Sequence, residues 1–165
     1  MHKKLRLGVA VAVAAAMVAT SIAGYAVAST VSPSSFVSAG TVRYAMVSAS
    51  SPQTTTSTSY VNIPGMNTGF NVPPGKTAEV MITFSGEVNT CHAMLVRAVV
   101  DGSAALPSET QFQWNFSGGA DSHAFSFFTK VGAGVHNVAM QWHGLDNCAQ
   151  EFISNRSTII TVNLH

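Results

Sequence analysis

Thr77 to Gly102 reads TAEVMITFSGEVNTCHAMLVRAVVDG, and two apolar strands separated by a polar turn account for it. In the first, Val80, Ile82 and Phe84 fall on one side, with Glu79, Thr83 and Ser85 among the residues on the other. That is the period of two expected of a strand with one buried face. In the second, Met94, Val96, Ala98 and Val100 share a face, yet Leu95 and Val99 make the reverse side apolar as well. This strand is predicted to be central, and Leu95 and Val99 to need cover from elsewhere in the chain or from another copy. Gly86, Asn89 and Thr90 interrupt the pattern and mark the turn.

The same alternation extends outward in both directions. TVRYAMV (residues 41–47) sets Val42, Tyr44 and Met46 against Arg43, Ala45 and Val47. After a Ser/Thr loop around Pro52, two short apolar pieces are closed by Pro64-Gly65 and by Pro73-Pro74-Gly75. Pro presets φ in such turns and Gly supplies a positive φ. Downstream, Asp101-Gly102 reads as a turn, and Phe112, Trp114 and Phe116 alternate with Gln111, Gln113 and Asn115. His123, Phe125 and Phe127 share a face, as do His136, Val138, Met140 and Trp142, and Ile160, Val162 and Leu164 end the chain. About 8–10 short strands spaced like this, without helical periodicity, predict an all-β antiparallel sandwich, a jelly roll by preference.

Residues 1–28 are read as a secretory signal peptide: Lys3, Lys4 and Arg6 precede an apolar run that ends in Ala26-Val27-Ala28. An uncleaved anchor is the competing reading, because about 20 apolar residues span a bilayer; Thr20, Ser21 and Gly24 weigh against it. Residues 29–40 are expected to be a loosely ordered start to the mature chain, and residues 41–165 the sandwich. The Ala/Val-rich head suggests a bacterial exporter. Cleavage lowers the formal charge from +1 by three, to −2. Charged residues make up 9% of the chain, against roughly 25% in an average globular protein. The remaining cations are scattered, which excludes nucleic acid and an anionic membrane as expected partners. Stable membrane insertion after cleavage is not expected.

Cys91 and Cys148 are the only cysteines, and both lie in the exported part, where a disulfide forms. It would close a loop of about 58 residues and add roughly 4 kcal/mol in the chain-entropy account.

The closing third carries SHAFSFFTKVGAGVHNVAMQWHG (122–144) and ISNRSTIITVNL (153–164). With Phe125 and Phe127 on one strand, Gly134-x-His136-x-Val138-x-x-Gln141-Trp142 on the next, and Arg156-Ser157 leading into a β-branched last strand, it resembles the closing strands of compact jelly-roll domains. These are of the complement-globular-head and tumour-necrosis-factor type, with similar modules in phage tail fibres and bacterial secreted proteins. The resemblance implies a non-enzymatic, often trimeric module.

Residues able to build chemistry are few. His92, His143 and Asp146, beside the cysteine pair, form the one candidate metal cluster, but they lack the CxxC or HxxxH spacing that brings three or four donors together. His123 and His136 are each read as a rim histidine with a backbone partner, the alternative being that they meet and sense pH. Asp101, Asp121 and Asp146 lack the regular spacing of a calcium loop. No G-x-S-x-G is present. Trp114 and Trp142 suit core positions better than a sugar platform. No cofactor and no catalytic residue is expected. The resulting expectation is a secreted binding or surface-interaction module for an extracellular protein or glycan, capable of homo-oligomerising as a trimer. The alternative is a structural component of an extracellular or cell-surface layer, and a metal protein or hydrolase stands outside both.

Overall fold

The computed structural model describes residues 34–37, 42–90, 93–113, 120–145 and 151–165. Cys91, His92, Trp114, Asp146 and Cys148 lie outside them, and with them the disulfide and most of the metal cluster. Eleven strands lie among the described residues: β1 Ser34–Val37, β2 Val42–Ala49, β3 Gln53–Thr55, β4 Val61–Val72, β5 Ala78–Asn89, β6 Ala93–Val100, β7 Ser103–Ala104, β8 Thr110–Gln113, β9 Asp121–Val131, β10 Gly134–Gly144 and β11 Glu151–Leu164. Ser34–Val37, inside the stretch read as a loose start, pairs with β2.

Two antiparallel sheets result. The first has the order β1-β2-β11-β5-β9 with β3 added on β11; the second has the order β4-β10-β6-β7 with β8 also on β6. From β4 onward the chain crosses repeatedly between them, so the connectivity is that of a jelly roll, with β2-β11-β5-β9 facing β4-β10-β6-β8. The two strands of the opening stretch, β5 and β6, are therefore not a hairpin. Each is interior to a different sheet, and the turn between them carries the chain across the sandwich.

The core lies between the sheets. Val80, Ile82 and Phe84 of β5 meet Met94, Val96 and Ala98 of β6, with Phe127, Met140, Trp142, Ile160 and Val162 around them. On β2 the buried side chains are Ala45 and Val47, and the bulkier Tyr44 and Met46 face outward. Trp142 is 1% exposed, so it is a core residue and not a platform.

Local chemistry sets the connections. Asp101 (φ 50) and Gly102 (φ 86) form the two-residue turn joining β6 to β7, the positive-φ pair that matches strand twist. Pro73-Pro74-Gly75 turns β4 into β5, with Gly75 at φ 75 and Lys76 N–H donating to Pro73 O at 3.1 Å. Two sequence breaks prove to lie inside strands. Pro64-Gly65 is an outward bulge on the edge strand β4, where a proline costs no ladder bond. Gly86 lies within β5, because a Cβ there would sit 2.8 Å from Ile153 Cδ1; the missing side chain admits Ile153 of β11.

Candidate functional site

The outer face of the first sheet is where the fold departs from a polar exterior. Register aligns its side chains in rows across β2, β11, β5 and β9. One row is Tyr44, Thr161, Met81 and Phe128; beside it run Met46, Ile159, Thr83 and Ser126. Tyr44, Met46, Met81, Phe128 and Ile159 are all exposed, Phe128 to 53%. Leu106, from the loop after β7, extends the band: its backbone exchanges hydrogen bonds of 2.8 and 2.6 Å with Phe128 at the sheet edge. A groove of about 890 Å³ opens there, lined by Met81, Leu106, Phe128, Glu79, Lys130 and Asn163 among others.

The borders of the band are neutral. On one side Lys130 Nζ lies 2.8 Å from Glu79 Oε1, and the hydrogen bond from Lys130 holds the Glu79 carboxyl below its usual value. On the other, hydroxyls pair across strands, Thr83 with Ser126 at 3.1 Å and Ser85 with Ser157 at 2.8 Å. An exposed apolar band with its adjacent charges mutually cancelled is the surface pattern of an interaction site, whereas single exposed apolar residues are ordinary.

The outer face of the second sheet, expected to be apolar through Leu95 and Val99, is covered by its own chain. Val99 is 9% exposed, and Leu95 is half-buried. Beside them Arg97 stacks on the Tyr60 ring at 3.8 Å and donates from Nε to Gln141 Oε1 at 2.9 Å; Gln141 in turn donates to Asn62 at 2.9 Å. Tyr60 donates its hydroxyl to Glu109 at 2.5 Å, and burial, aided by that carboxylate, raises the phenol's pKa.

The histidines separate. His143 turns Nδ1 to Gly144 O at 2.6 Å and sets its ring edge-on to Tyr60 at 4.4 Å, while His92 and Asp146 lie outside the described residues. His123 packs on Phe112 and Phe125 at the start of β9. His136 lies just after the β9–β10 turn, at the other end of the sandwich, so the two do not meet. His136 finds its backbone partner, Gly132 O at 3.0 Å from Nε2, and also a carboxylate that the sequence does not reveal, Asp101 Oδ2 at 2.6 Å from Nδ1. Both partners only accept, so the arrangement suits the protonated imidazole, which donates from both ring nitrogens. Burial opposes that charge, but Asp101 and the Gly132 carbonyl outweigh it and raise the pKa. Asp101 also accepts from Asn137 N–H at 2.8 Å, and that bond, then His136, lowers its carboxyl pKa. Among the described residues no group of three His, Cys, Asp or Glu side chains converges.

No family model matches the chain, and no curated protein matches it. Solved structures that are similar include that of the infectious bursal disease virus Gx strain, with 8% identity over 74% of this chain and a TM-score of 0.46. Another is the insecticidal delta-endotoxin Cry8Ea1 from Bacillus thuringiensis, with 14% identity over 68% of this chain and a TM-score of 0.41. A third is dimeric latent PorU from Porphyromonas gingivalis, with 9% identity over 85% of this chain and a TM-score of 0.43. The chain spans 33%, 20% and 14% of those proteins respectively. None of the three is a module of the complement or tumour-necrosis-factor type, and none is similar enough to carry a property over to this chain.

Proposed function

We propose that this protein is a secreted, non-enzymatic interaction module that works outside the cell by presenting the outer face of its first sheet to a second copy of itself. The observation that carries the reading is the register: Tyr44, Met46, Met81, Ile159 and Phe128, drawn from four strands, form one exposed band. Export rests on the basic head, apolar run and Ala-x-Ala site of residues 1–28. Self-association is favoured over a charged partner because Glu79 and Lys130 neutralise one another at the border, so two copies of the face meet without like-charge repulsion. The resemblance of the closing third to jelly-roll modules that often assemble adds to the reading.

The test is the native mass of the non-reduced mature protein by light scattering over about a tenfold dilution series. A small closed oligomer is expected, falling to monomer in Phe128→Glu, which places a charge at an exposed position of the band. A wild-type monomer at every concentration overturns self-association, and mass that grows without limit assigns the chain instead to an extended surface layer.

A further inference from the structure

The fold sorts the methionines of the chain into two kinds. Of the seven, Met1 and Met17 lie in the segment read as a signal peptide, leaving five. Met66, Met94 and Met140 are 0% exposed, inside the core between the sheets. The Met66 sulfur also accepts a hydrogen bond from Thr158 Oγ1 at 3.6 Å. Met46 and Met81 are 36% and 37% exposed, and both belong to the apolar band on the outer face of the first sheet.

Strand alternation produces the division. On β2, Ala45 and Val47 take the core positions and leave Met46 outside; on β5, Val80 and Ile82 do the same to Met81. Register then sets the two on either side of β11, Met46 opposite Ile159 and Met81 opposite Thr161, with Phe128 of β9 opposite Met81 on its other side. Apolar surface at such positions can come from a hydrocarbon side chain, as it does at Ile159. A thioether is different in one respect, because its sulfur reacts with oxidants.

We propose that Met46 and Met81 are oxidative modification sites, and that their conversion to sulfoxides by a peroxide releases the self-association of the band. The release rests on the self-association reading; the modification sites rest on exposure alone. In the reaction the thioether sulfur gives an electron pair to one peroxide oxygen and the O–O bond breaks. The second oxygen leaves as water with the proton that the first sheds. Sulfur is oxidised by two electrons, and the peroxide is reduced. The product is a polar, chiral group where an apolar one stood. Packed against the apolar band of a second copy, the sulfoxide loses its water, so association weakens. The oxidant meets the sulfurs in the dissociated chain, which exchanges with the oligomer by mass action, and oxidation traps that form. The core methionines are spared, so the sandwich stays folded.

The test treats the non-reduced mature protein with dilute hydrogen peroxide, maps sulfoxides by digestion and mass spectrometry, and follows native mass by light scattering. Sulfoxide is expected first at Met46 and Met81, with Met66, Met94 and Met140 unmodified while the protein is folded. The apparent dissociation constant is expected to rise about a hundredfold, tenfold for each sulfoxide, or about 1.4 kcal/mol each. Reduction by the two epimer-specific methionine sulfoxide reductases should restore it. Met46→Leu combined with Met81→Leu conserves volume and apolar surface; this variant should assemble like the wild type and keep its mass in peroxide. Sulfoxide at a core methionine as early as at Met46 and Met81 would overturn the modification sites. Unchanged mass after both are fully oxidised, or a double leucine variant that still dissociates in peroxide, would overturn the release. A wild type that is monomeric before treatment overturns the self-association reading and the release with it, and the peptide map then decides the modification sites by itself.

Discussion

His136 and Asp101 tie the start of β10 to the turn between β6 and β7, and the tie depends on charge at both ends. The folded pKa of His136 lies above its unfolded value of about 6.5. Its contribution is therefore complete below that value and is lost as pH rises through the folded pKa. Asp101 behaves in the opposite sense: its pKa is lowered, so its contribution is present above about 4 and is lost as pH falls through the folded value. The pair stabilises most in the window between. Because the Asp101 side chain is 44% exposed, solvent screens it, and the effect is on the order of 0.5–1 kcal/mol. Urea unfolding at a series of pH values should show stability declining from pH ~6 to ~8, with the decline flattened in His136→Asn. An identical slope in the variant would remove His136 from the account. The sequence placed this histidine at a strand start with a backbone partner, as found. It did not reveal Asp101, which reaches His136 only because the turn that opens at Asp101 folds back beside β10.

At the scale of elements, the decisive positions are those where one strand makes room for another. Gly86 is the clearest. It interrupts an apolar run and so reads as a turn, but β5 continues through it to Asn89, and the space above its Cα is filled by Ile153. Gly86→Ala should lower stability by roughly 1–3 kcal/mol through overpacking. Gly132→Ala meets nothing within 4 Å and serves as the control; equal midpoints for the two in urea would show that Ile153 yields without cost. Period-two alternation was enough to place β2, β5, β6, β9, β10 and the end of β11, with the inward faces of β5, β9 and β11, but not β1, which falls in the stretch read as a loose start. It was not enough for the apolar band. On β5, β9 and β11, Met81, Phe128 and Ile159 are each an apolar residue on a mainly polar face, and Tyr44 and Met46 look like core on β2 until Ala45 and Val47 are seen to occupy it. Only the pairing register brings the five together, and register is a relation between strands distant in sequence. Arg156 was hidden for a different reason: alternation puts it on the face of Ile160 and Val162, but its carbonyl partners, Pro64 and Ser51, are distant in sequence.

For the whole molecule, the remaining question is what holds the two sheets together at the end where the chain crosses between them. β5 leaves the first sheet just before Cys91 and β6 enters the second just after His92; β10 leaves the second sheet before Cys148 and β11 enters the first after it. The described neighbours of the two cysteines are already joined, with Leu145 N–H donating to Ala93 O at 3.1 Å and Asn89 opposite Phe152 in the β5–β11 ladder. Two crossings thus begin and end beside one another, and the export proposed above would supply an oxidising environment in which to link them. The prediction is a single intrachain Cys91–Cys148 bridge, recovered as one linked peptide pair when the non-reduced mature protein is digested and mapped by mass spectrometry. Replacing both cysteines with serine should lower stability in urea by up to roughly 4 kcal/mol, the chain-entropy value for a loop of this length. The core between Phe84, Trp142 and Ile160 is independent of the bridge, so the variant should still fold. Full alkylation of both thiols in native, non-reduced protein would show instead that hydrogen bonding at Ala93 and Asn89 closes this end of the sandwich without a covalent link.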